Sequence, residues 1–204
     1  MRARTTRYTM LFASLLLLGA RPVRAQDANT PDSAQMAAMM AQMMKIATPG
    51  PQHKQLMTLA GKWTFTSRMY MGGPGAPPTE SPGTADMEAL AGGRYLMQKA
   101  KGEFSGMPFD GVGITGYDNG MQKYVSTWMD NMGTMIMTGT GTADSTGKVI
   151  TFVFVYDDPM TGEKGKRPRQ VLRIVSSDEL VYEMYDSQGG KEFKVGEMAY
   201  RRVK

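Results

Sequence analysis

From Trp63 onward, apolar and polar residues alternate in short segments that are rich in β-branched and aromatic side chains. Alternation with a period of two is typical of strands that have one buried and one solvated face. Gly, Asn, Asp and Pro separate the segments, and turns such as Asp118-Asn119-Gly120 supply the backbone angles that tight hairpins need. The pattern predicts strands at residues 63–71, 83–90, 95–104, 109–117, 121–129, 134–142, 149–156, 169–176, 179–186 and 191–201.

These segments follow one another without intervening helices, so most of the predicted strands are joined by hairpins. About ten antiparallel strands in a row can hide their edges by closing on themselves. The sequence therefore predicts an all-β domain over residues 48–204, an up-and-down antiparallel β-barrel of about ten strands, with a two-sheet sandwich as the alternative. Alternation in the first strand predicts an inward face made of Trp63, Phe65, Ser67, Met69 and Met71.

A helical period precedes the strands, within residues 34–47. Methionines recur there at the i, i+3, i+4, i+7 and i+8 spacing of one helical face, and the alanines between them favour helix. The segment TPGP at 48–51 ends the pattern, because proline cannot continue a helix. We therefore predict a short N-terminal amphipathic helix whose apolar face contains Met36, Met39, Met40, Met43 and Met44.

This methionine-rich helix is open to three interpretations. Methionine fills irregular apolar gaps, so the helix could pack on the barrel or form a lid over its mouth. It could instead dock on a partner or a membrane, as part of a cell-envelope interaction module. Thioethers are also soft ligands that suit Cu(I). The composition favours packing or a lid, and we predict no metal site and no cofactor.

The first 25 residues have the organisation of a targeting segment. Arg2, Arg4 and Arg7 precede an apolar run at residues 10–20, and the segment closes on Val23-Arg24-Ala25, which fits a small-residue cleavage rule. We predict a secretory signal peptide cleaved after Ala25, a disordered leader at 26–33, and an exported protein, periplasmic or secreted. The run is too short to span a bilayer, and no transmembrane segment is predicted after cleavage.

Charge and cysteine usage exclude several functions. The chain has a formal net charge of +5, but five of its basic residues are arginines of the predicted signal peptide, and that segment contains no acidic residue. The mature chain is therefore balanced in charge, and nucleic acid is not a predicted partner. The chain has no cysteine, which excludes disulfides and thiolate chemistry.

The sequence Gly61-Lys62-Trp63 lies where helix gives way to the first strand, and an arginine, Arg201 or Arg202, lies near the end of the last strand. This pattern resembles that of the calycins, the lipocalins and their relatives. The resemblance implies that Trp63 packs across the closed end of a barrel and that the arginine stacks on it. Gly61, Trp63 and Arg201 are thereby assigned structural roles.

More of the chain resembles the bacterial family known as domain of unknown function 1579. This resemblance implies a calycin-like barrel and no known activity, and the helix at 36–45 is an addition to the family pattern. The matching segments, in order, are PGPQHKQLMTLAGKW (49–63), GGRYL (92–96), GEFSGMPFDGVGITGYDN (102–119), KYVSTWMDNMGT (123–134), DDPMTGEK (157–164) and the closing EMAYRR.

Aromatic residues with polar tips are the best candidates for a binding pocket. Tyr124, Ser126, Trp128 and Asp130 alternate onto one face of a predicted strand, and a barrel of this size usually encloses a small molecule. The glycines of GVGITG at 111–116 leave room inside such a barrel, and they lack the helix that a phosphate loop requires. We predict that a small, largely apolar ligand is bound by Arg94, Tyr117, Tyr124, Trp128 and Arg169.

Catalysis is the alternative function, with His53 or Asp130 as the acid or base inside the barrel. His53 is the only histidine of the chain, so a zinc site with three histidine ligands is excluded. Any Ser-His-Asp triad would have to use this residue. The sequence favours binding over catalysis and leaves the enzyme alternative open.

Overall fold

The computed structural model describes residues 32–72 and 76–204. The predicted signal peptide and residues 26–31 of the predicted leader lie outside the described residues. Residues from Met40 to the C-terminus form one compact unit. No helix in the described ranges is long and apolar enough to cross a bilayer.

Two helices precede ten strands in the chain. The helices are α1 (Ser33–Ala47) and α2 (Pro51–Met57). The strands are β1 (Gly61–Met69), β2 (Thr79–Leu90), β3 (Tyr95–Phe104), β4 (Met107–Asp118), β5 (Lys123–Asp130), β6 (Met137–Ala143), β7 (Val149–Val155), β8 (Arg169–Ser176), β9 (Glu179–Gln188) and β10 (Lys191–Arg202).

Every strand pairs antiparallel with the next in sequence, and β1 also pairs with β10. The sheet is therefore a closed up-and-down barrel of ten strands, which confirms the predicted fold and excludes the sandwich. Closure satisfies the backbone groups of both edge strands, which would otherwise be open to pairing with other chains.

The alternation in β1 has the predicted sense. Trp63 and Phe65 are buried in the core, and Ser67 and Met69 line the interior further along the strand. Met71 was assigned to the same face, but it lies beyond the end of β1 and is exposed, so this assignment is wrong. The inward alternation ends where pairing with β2 and β10 ends.

Helix α2 covers one end of the barrel, which we name the covered end. Pro51 occupies its first turn, and the side chain of Leu56 is fully buried, as is Leu59 just beyond the helix. The β-strand loops at this end are 91–94, 119–122, 144–148 and 177–178. The opposite end, named the open end, contains the loops 105–106, 131–136, 156–168 and 189–190 and the described part of the β1–β2 connection.

Trp63 and Arg202 hold the covered end together. The Trp63 indole is 1% exposed and donates through Nε1 to the Leu59 carbonyl (2.9 Å), while the Arg202 guanidinium carbon lies 4.3 Å from the centre of the Trp63 ring. The same guanidinium donates to the carbonyls of Ala60 (2.7 Å) and Thr58 (2.7 Å), so it joins the last strand to the chain after α2. These carbonyls would otherwise lack partners in a segment with no ladder of its own.

Arg201, to which the stacking role was assigned, points the other way. Neighbouring residues of a strand face opposite sides, so only one of the two arginines can lie over Trp63. Arg201 is largely solvent-exposed and pairs with Glu179 (3.0 Å). At Gly61, φ is +134°, and a Cβ there would lie 2.6 Å from Arg202 Nη1, so a side chain would strain the backbone and displace the guanidinium.

Replacing Arg202 with alanine is expected to lower the free energy of unfolding by roughly 2–3 kcal/mol, through the loss of the cation–π contact and of hydrogen bonds from a charged donor. Arg201→Ala is the matched control, and its exposed ion pair is expected to contribute less than about 0.5 kcal/mol. Urea unfolding followed by circular dichroism measures both values. Equal losses in the two variants would contradict the assignment of Arg202.

Candidate ligand-binding site

The barrel encloses a cavity of about 340 Å³ that extends from Leu56 at the covered end to Met132 at the open end. Its wall is mainly apolar, and no lysine or arginine of the described residues lines it. Aromatic rings of β4, β5 and β7 contribute, and methionines come from six separate segments. These methionines are Met69, Met87, Met132, Met137, Met184 and Met198.

Polar side chains in the wall bond to one another. Gln98 Nε2 donates to the Tyr200 hydroxyl (3.0 Å), which in turn donates to Met198 Sδ (3.5 Å). The Tyr182 hydroxyl donates to Gln170 Oε1. Burial raises the pKa of Tyr200 to about 12, and burial, with Tyr200 nearby, raises the pKa of Tyr182 well above its ordinary value. Both phenols are therefore neutral at physiological pH.

The inward face of β5 supplies the remaining polar groups. The hydroxyls of Ser126 and Thr115 share a hydrogen bond (3.1 Å), and Trp128 Nε1 donates to Asp130 Oδ2 (2.8 Å). Asp130 Oδ1 also accepts the backbone N–H of Met132 (3.0 Å). No fully buried side-chain nitrogen or oxygen in the described part of the chain lacks a partner. The fully buried polar groups of the wall thus already have partners.

Glycines of β4 make room for Trp128. A Cβ at Gly111 would lie 2.4 Å from the Trp128 ring, and one at Gly113 would lie 2.9 Å from it. The ring also stacks on Phe109, with centroids 6.3 Å apart. The predicted small-residue strand therefore accommodates a large neighbour, which in turn leaves space in the middle of the barrel.

Tyr124 and Tyr117 lie at the covered end. Tyr124 is buried in the core, and its hydroxyl donates to Gln55 of α2 (3.3 Å). Burial, with Tyr117 nearby, raises the pKa of Tyr124. Tyr117 packs against Tyr124 edge to face, with centroids 5.0 Å apart. Neither ring lines the cavity. Of the five predicted ligand residues, only Trp128 does.

Arg169 was predicted to bind the ligand, but it lies on the outer face of the barrel. Gln170 and Leu172 of β8 face inward, so Arg169 faces outward by alternation. Its Nε donates to Glu192 (2.7 Å), and its guanidinium lies 3.9 Å from the centre of the Tyr185 ring. These contacts raise the pKa of Arg169 and stabilise the outer face.

Arg94 was also predicted to bind the ligand, and it too lies outside the cavity. It belongs to the β2–β3 loop at the covered end and donates through Nη2 to the Ala47 carbonyl (2.8 Å) at the end of α1. Asn119 Nδ2 donates to the carbonyls of Ile46 (2.9 Å) and Thr48 (2.9 Å). The two side chains therefore hold the C-terminal end of α1 at the covered end.

His53 and Asp130, the two candidate acid–base residues, lie at opposite ends of the barrel. His53 contacts Tyr117 at the covered end, with ring centroids 5.9 Å apart, while Asp130 ends β5 at the open end. Tyr117 pairs with Tyr124, and six residues of extended strand from there to Asp130 span about 20 Å. The two residues line different cavities and cannot act on one reacting atom.

The methionine face of α1 is not packed. No residue of the helix is buried, and its five predicted face methionines, Met36, Met39, Met40, Met43 and Met44, are 52–63% exposed. For Met40, Met43 and Met44, which belong to the same compact unit as the barrel, the prediction of packing on the barrel is therefore wrong. The C-terminal end of the helix is held at the covered end, and its role as a lid stays a prediction. No cluster of three metal-binding His, Asp or Glu residues occurs in the described ranges.

Sequence reasoning missed the polar pairs of the cavity. Gln98, Gln170, Tyr182 and Tyr200 all occupy inward positions of strands that were correctly predicted, and alternation from their apolar neighbours was the available signal. Which glutamine bonds to which tyrosine depends on the register between strands. The turn sequences alone did not predict that register.

The fold and cavity define an all-β, calycin-like barrel with an apolar interior. The family model described as "Protein of unknown function (DUF1579)" matches residues 48–202, and the chain belongs to this family. None of the curated proteins compared with the chain matches it.

Two solved structures share the barrel. The crystal structure of Rv2717c from M. tuberculosis is 18% identical, with a TM-score of 0.55 over 77% of this chain and 100% of that chain. The S-type phycobiliprotein lyase CPES from Guillardia theta is 9% identical, with a TM-score of 0.51 over 74% of this chain and 92% of that chain. At these identities the likeness shows the fold alone.

The β7–β8 loop at the open end is anchored by a buried lysine. Lys166 Nζ lies 2.9 Å from Asp158 Oδ2 and 2.7 Å from Asp186 Oδ2, and its side chain is 10% exposed. Burial alone lowers the pKa of Lys166, but the hydrogen bonds to Asp186 and Asp158 outweigh burial and raise it. Hydrogen bonds from Lys166 and the Met160 backbone lower the pKa of Asp158 from 3.8 to about 2.

The depressed pKa of Asp158 predicts acid loosening of this loop. Asp158 binds a proton more weakly in the folded state than in the unfolded state, so acid favours the unfolded state of the loop. The stabilisation by ionised Asp158 is present above about pH 4 and is lost as the pH falls from about 4 towards 2. Amide hydrogen exchange of residues 157–166 across this pH range measures the change.

Asp158→Asn is expected to speed exchange of the loop at neutral pH and to remove the acid step. Asp157→Asn is the comparison variant, because Asp157 lies in the same loop and its ion pair with Lys164 is exposed. Hydrogen bonds from the Gly165 backbone and from Lys164 also lower the pKa of Asp157, so the two variants together divide the acid step between the two carboxylates. An unchanged acid step in Asp158→Asn would assign the transition to another group.

Proposed function

We propose that this protein binds a small, largely apolar molecule inside the barrel. The cavity of about 340 Å³, in whose wall the fully buried polar side-chain atoms all have hydrogen-bond partners, supports this proposal. A ligand that needed hydrogen bonds would have to break these pairs, whereas an apolar ligand would leave them intact. Volumes of this order are typical of small-molecule sites.

Charged residues at the open end restrict the class of ligand further. Asp130 and Glu103 are the two acidic residues that line the cavity, and both lie near the open end. No basic residue in the described lining offsets them. These carboxylates would repel an anionic ligand at the entrance, so we expect the ligand to be uncharged or cationic.

A second candidate function rests on α1. Its methionines are exposed along the helix, the segment carries Lys45 and no acidic residue, and its C-terminal end is tied to the barrel. An exposed apolar helical face of this kind suits adsorption to a lipid surface in the cell envelope. This function is compatible with ligand binding in the barrel.

We also propose that the chain is exported, to the periplasm or the medium, after cleavage following Ala25. The arginine-flanked apolar run at the N-terminus supports this proposal. An intact mass corresponding to residues 26–204, from protein recovered outside the cytoplasm, is expected. A full-length mass confined to the cytoplasmic fraction would contradict export.

Blocking the cavity tests the main proposal. Thr115→Trp places a large ring in the interior and is expected to weaken binding of the neutral probe N-phenyl-1-naphthylamine at least about tenfold, equivalent to about 1.4 kcal/mol. Ile114→Trp is the matched control, because the adjacent residue does not line the cavity and faces outward by alternation. Enhancement of the probe's fluorescence measures both affinities.

Circular dichroism establishes whether the two tryptophan variants fold. A folded Thr115→Trp protein that binds the probe as tightly as the wild type would reject the cavity as the binding site. Absence of saturable binding by the wild type, to this probe and to a panel of neutral apolar molecules, would reject the function itself.

Replacing the five face methionines of α1 with glutamine tests the second candidate. Glutamine keeps helix propensity but removes the apolar face, so sedimentation with phosphatidylethanolamine–phosphatidylglycerol vesicles is expected to be lost. Replacement with leucine is the control and is expected to retain it. The free energy of unfolding of the barrel should change little in either variant, because no residue of α1 is buried.

A further inference from the structure

A second crevice, of about 290 Å³, lies at the covered end. We name it the covered-end crevice. It is bounded by the C-terminal end of α1, the start of α2 and the loops before β3 and β5. It shares no lining residue with the barrel cavity, so it is a separate site.

His53 presents an unpaired donor in this crevice. Its Nδ1 accepts the backbone N–H of Gly50 (3.0 Å), so in the neutral ring the proton is on Nε2. The residue is 4% exposed, and Nε2 has no hydrogen-bond partner among the described residues. Since no fully enclosed side-chain nitrogen in those ranges lacks a partner, Nε2 opens into the crevice that His53 lines.

Arg94 brings a positive charge to the same crevice. Its Nη1 and Nη2 donate to the carbonyls of Ala91 (3.0 Å) and Ala47 (2.8 Å), and these bonds fix the guanidinium plane. None of the ion pairs in the described part of the chain includes Arg94, and its remaining N–H groups are available. A planar guanidinium held in this way suits a carboxylate, which it can bind with two parallel hydrogen bonds.

Asp118 and Asn119 line the crevice as well. Asp118 Oδ1 accepts the backbone N–H groups of Gly120 (2.7 Å) and Met121 (2.9 Å), which holds its carboxylate in the turn. The Asn119 amide nitrogen already donates to the carbonyls of Ile46 and Thr48 at the end of α1. The negative charge of Asp118 therefore disfavours an anion beside the turn. An anion in this crevice would instead lie beside Arg94 and His53.

The rest of the wall is apolar or aromatic. Tyr117 packs edge-on against His53, and the ring of Tyr95 lies over Gly116, where a Cβ would approach it to 2.5 Å. Ile46 and Val125 complete this side. An occupant thus meets donors at one position and aromatic or aliphatic groups along its length.

We propose that the covered-end crevice binds a small organic acid with an apolar or aromatic body. The carboxylate accepts hydrogen bonds from Arg94 and from His53 Nε2, and the body lies against Tyr95 and Tyr117. The site is independent of the ligand proposed for the barrel interior.

His53 is itself the reporter for the test, because it is the only histidine of the chain and its imidazole ¹⁵N signals are unambiguous. Benzoate titrated into the wild-type protein is expected to shift these signals in a saturable way. Benzyl alcohol, the uncharged match, is expected to leave them unchanged, and inorganic phosphate is expected to bind at least about tenfold more weakly than benzoate because it lacks the apolar body.

Arg94→Gln is expected to weaken benzoate binding at least about tenfold, whereas Arg169→Gln, on the outer face, is expected to leave it unchanged. Tyr95→Ala provides a second variant that does not touch α1, and it is expected to weaken benzoate but not acetate. Thr115→Trp is expected to retain the benzoate response, which separates this site from the barrel cavity.

No saturable shift with benzoate would overturn the proposal, as would equal responses to benzoate and phosphate. An unchanged benzoate affinity in both Arg94→Gln and Tyr95→Ala would also overturn it. Loss of the benzoate response in Thr115→Trp would place the ligand in the barrel cavity and reject a separate site.

Discussion

Seven residues of β1 pair with seven of β10, and this pairing removes the two free edges of the ten-stranded sheet. Once the sheet is closed, every inward side chain must share one interior with those of the other strands. The glycines opposite Trp128, the pairing of polar side chains inside the barrel and the need for α2 at one end all follow from this constraint. Arg202 extends the closure from the sheet to the covered end.

The interior shows how a barrel of this width remains partly empty without leaving polar groups unsatisfied. Bulky rings of β5 and β7 occupy positions opposite glycines, while the methionines around the wall are flexible and adapt to an occupant. Elsewhere in the wall, buried polar side chains are paired by hydrogen bonds between Gln98 and Tyr200 and between Gln170 and Tyr182.

The two ends of the barrel differ in chemistry. The covered end contains His53, Arg94 and an asparagine that binds the end of α1, whereas the open end contains Asp130, Glu103 and the loop anchored by Lys166. The five residues that were predicted to line one pocket are therefore divided among the barrel cavity, the covered-end crevice, the core and the outer face. A strand that is eight residues long separates its ends by about 25 Å, which exceeds the reach of any side chain.

Local sequence pattern was enough to predict the all-β class, all ten strands, the helix at 34–47 and the inward faces of β5 and of β1 as far as Met69, because alternation and turn residues are local properties. The family resemblance located Trp63 at the closed end. The three-dimensional structure was needed to establish that Arg202 rather than Arg201 stacks on Trp63, that Arg169 faces outward and that Arg94 and His53 line one crevice outside the barrel. These outcomes depend on strand register and on which loops share an end, and contacts between residues far apart in the chain determine both.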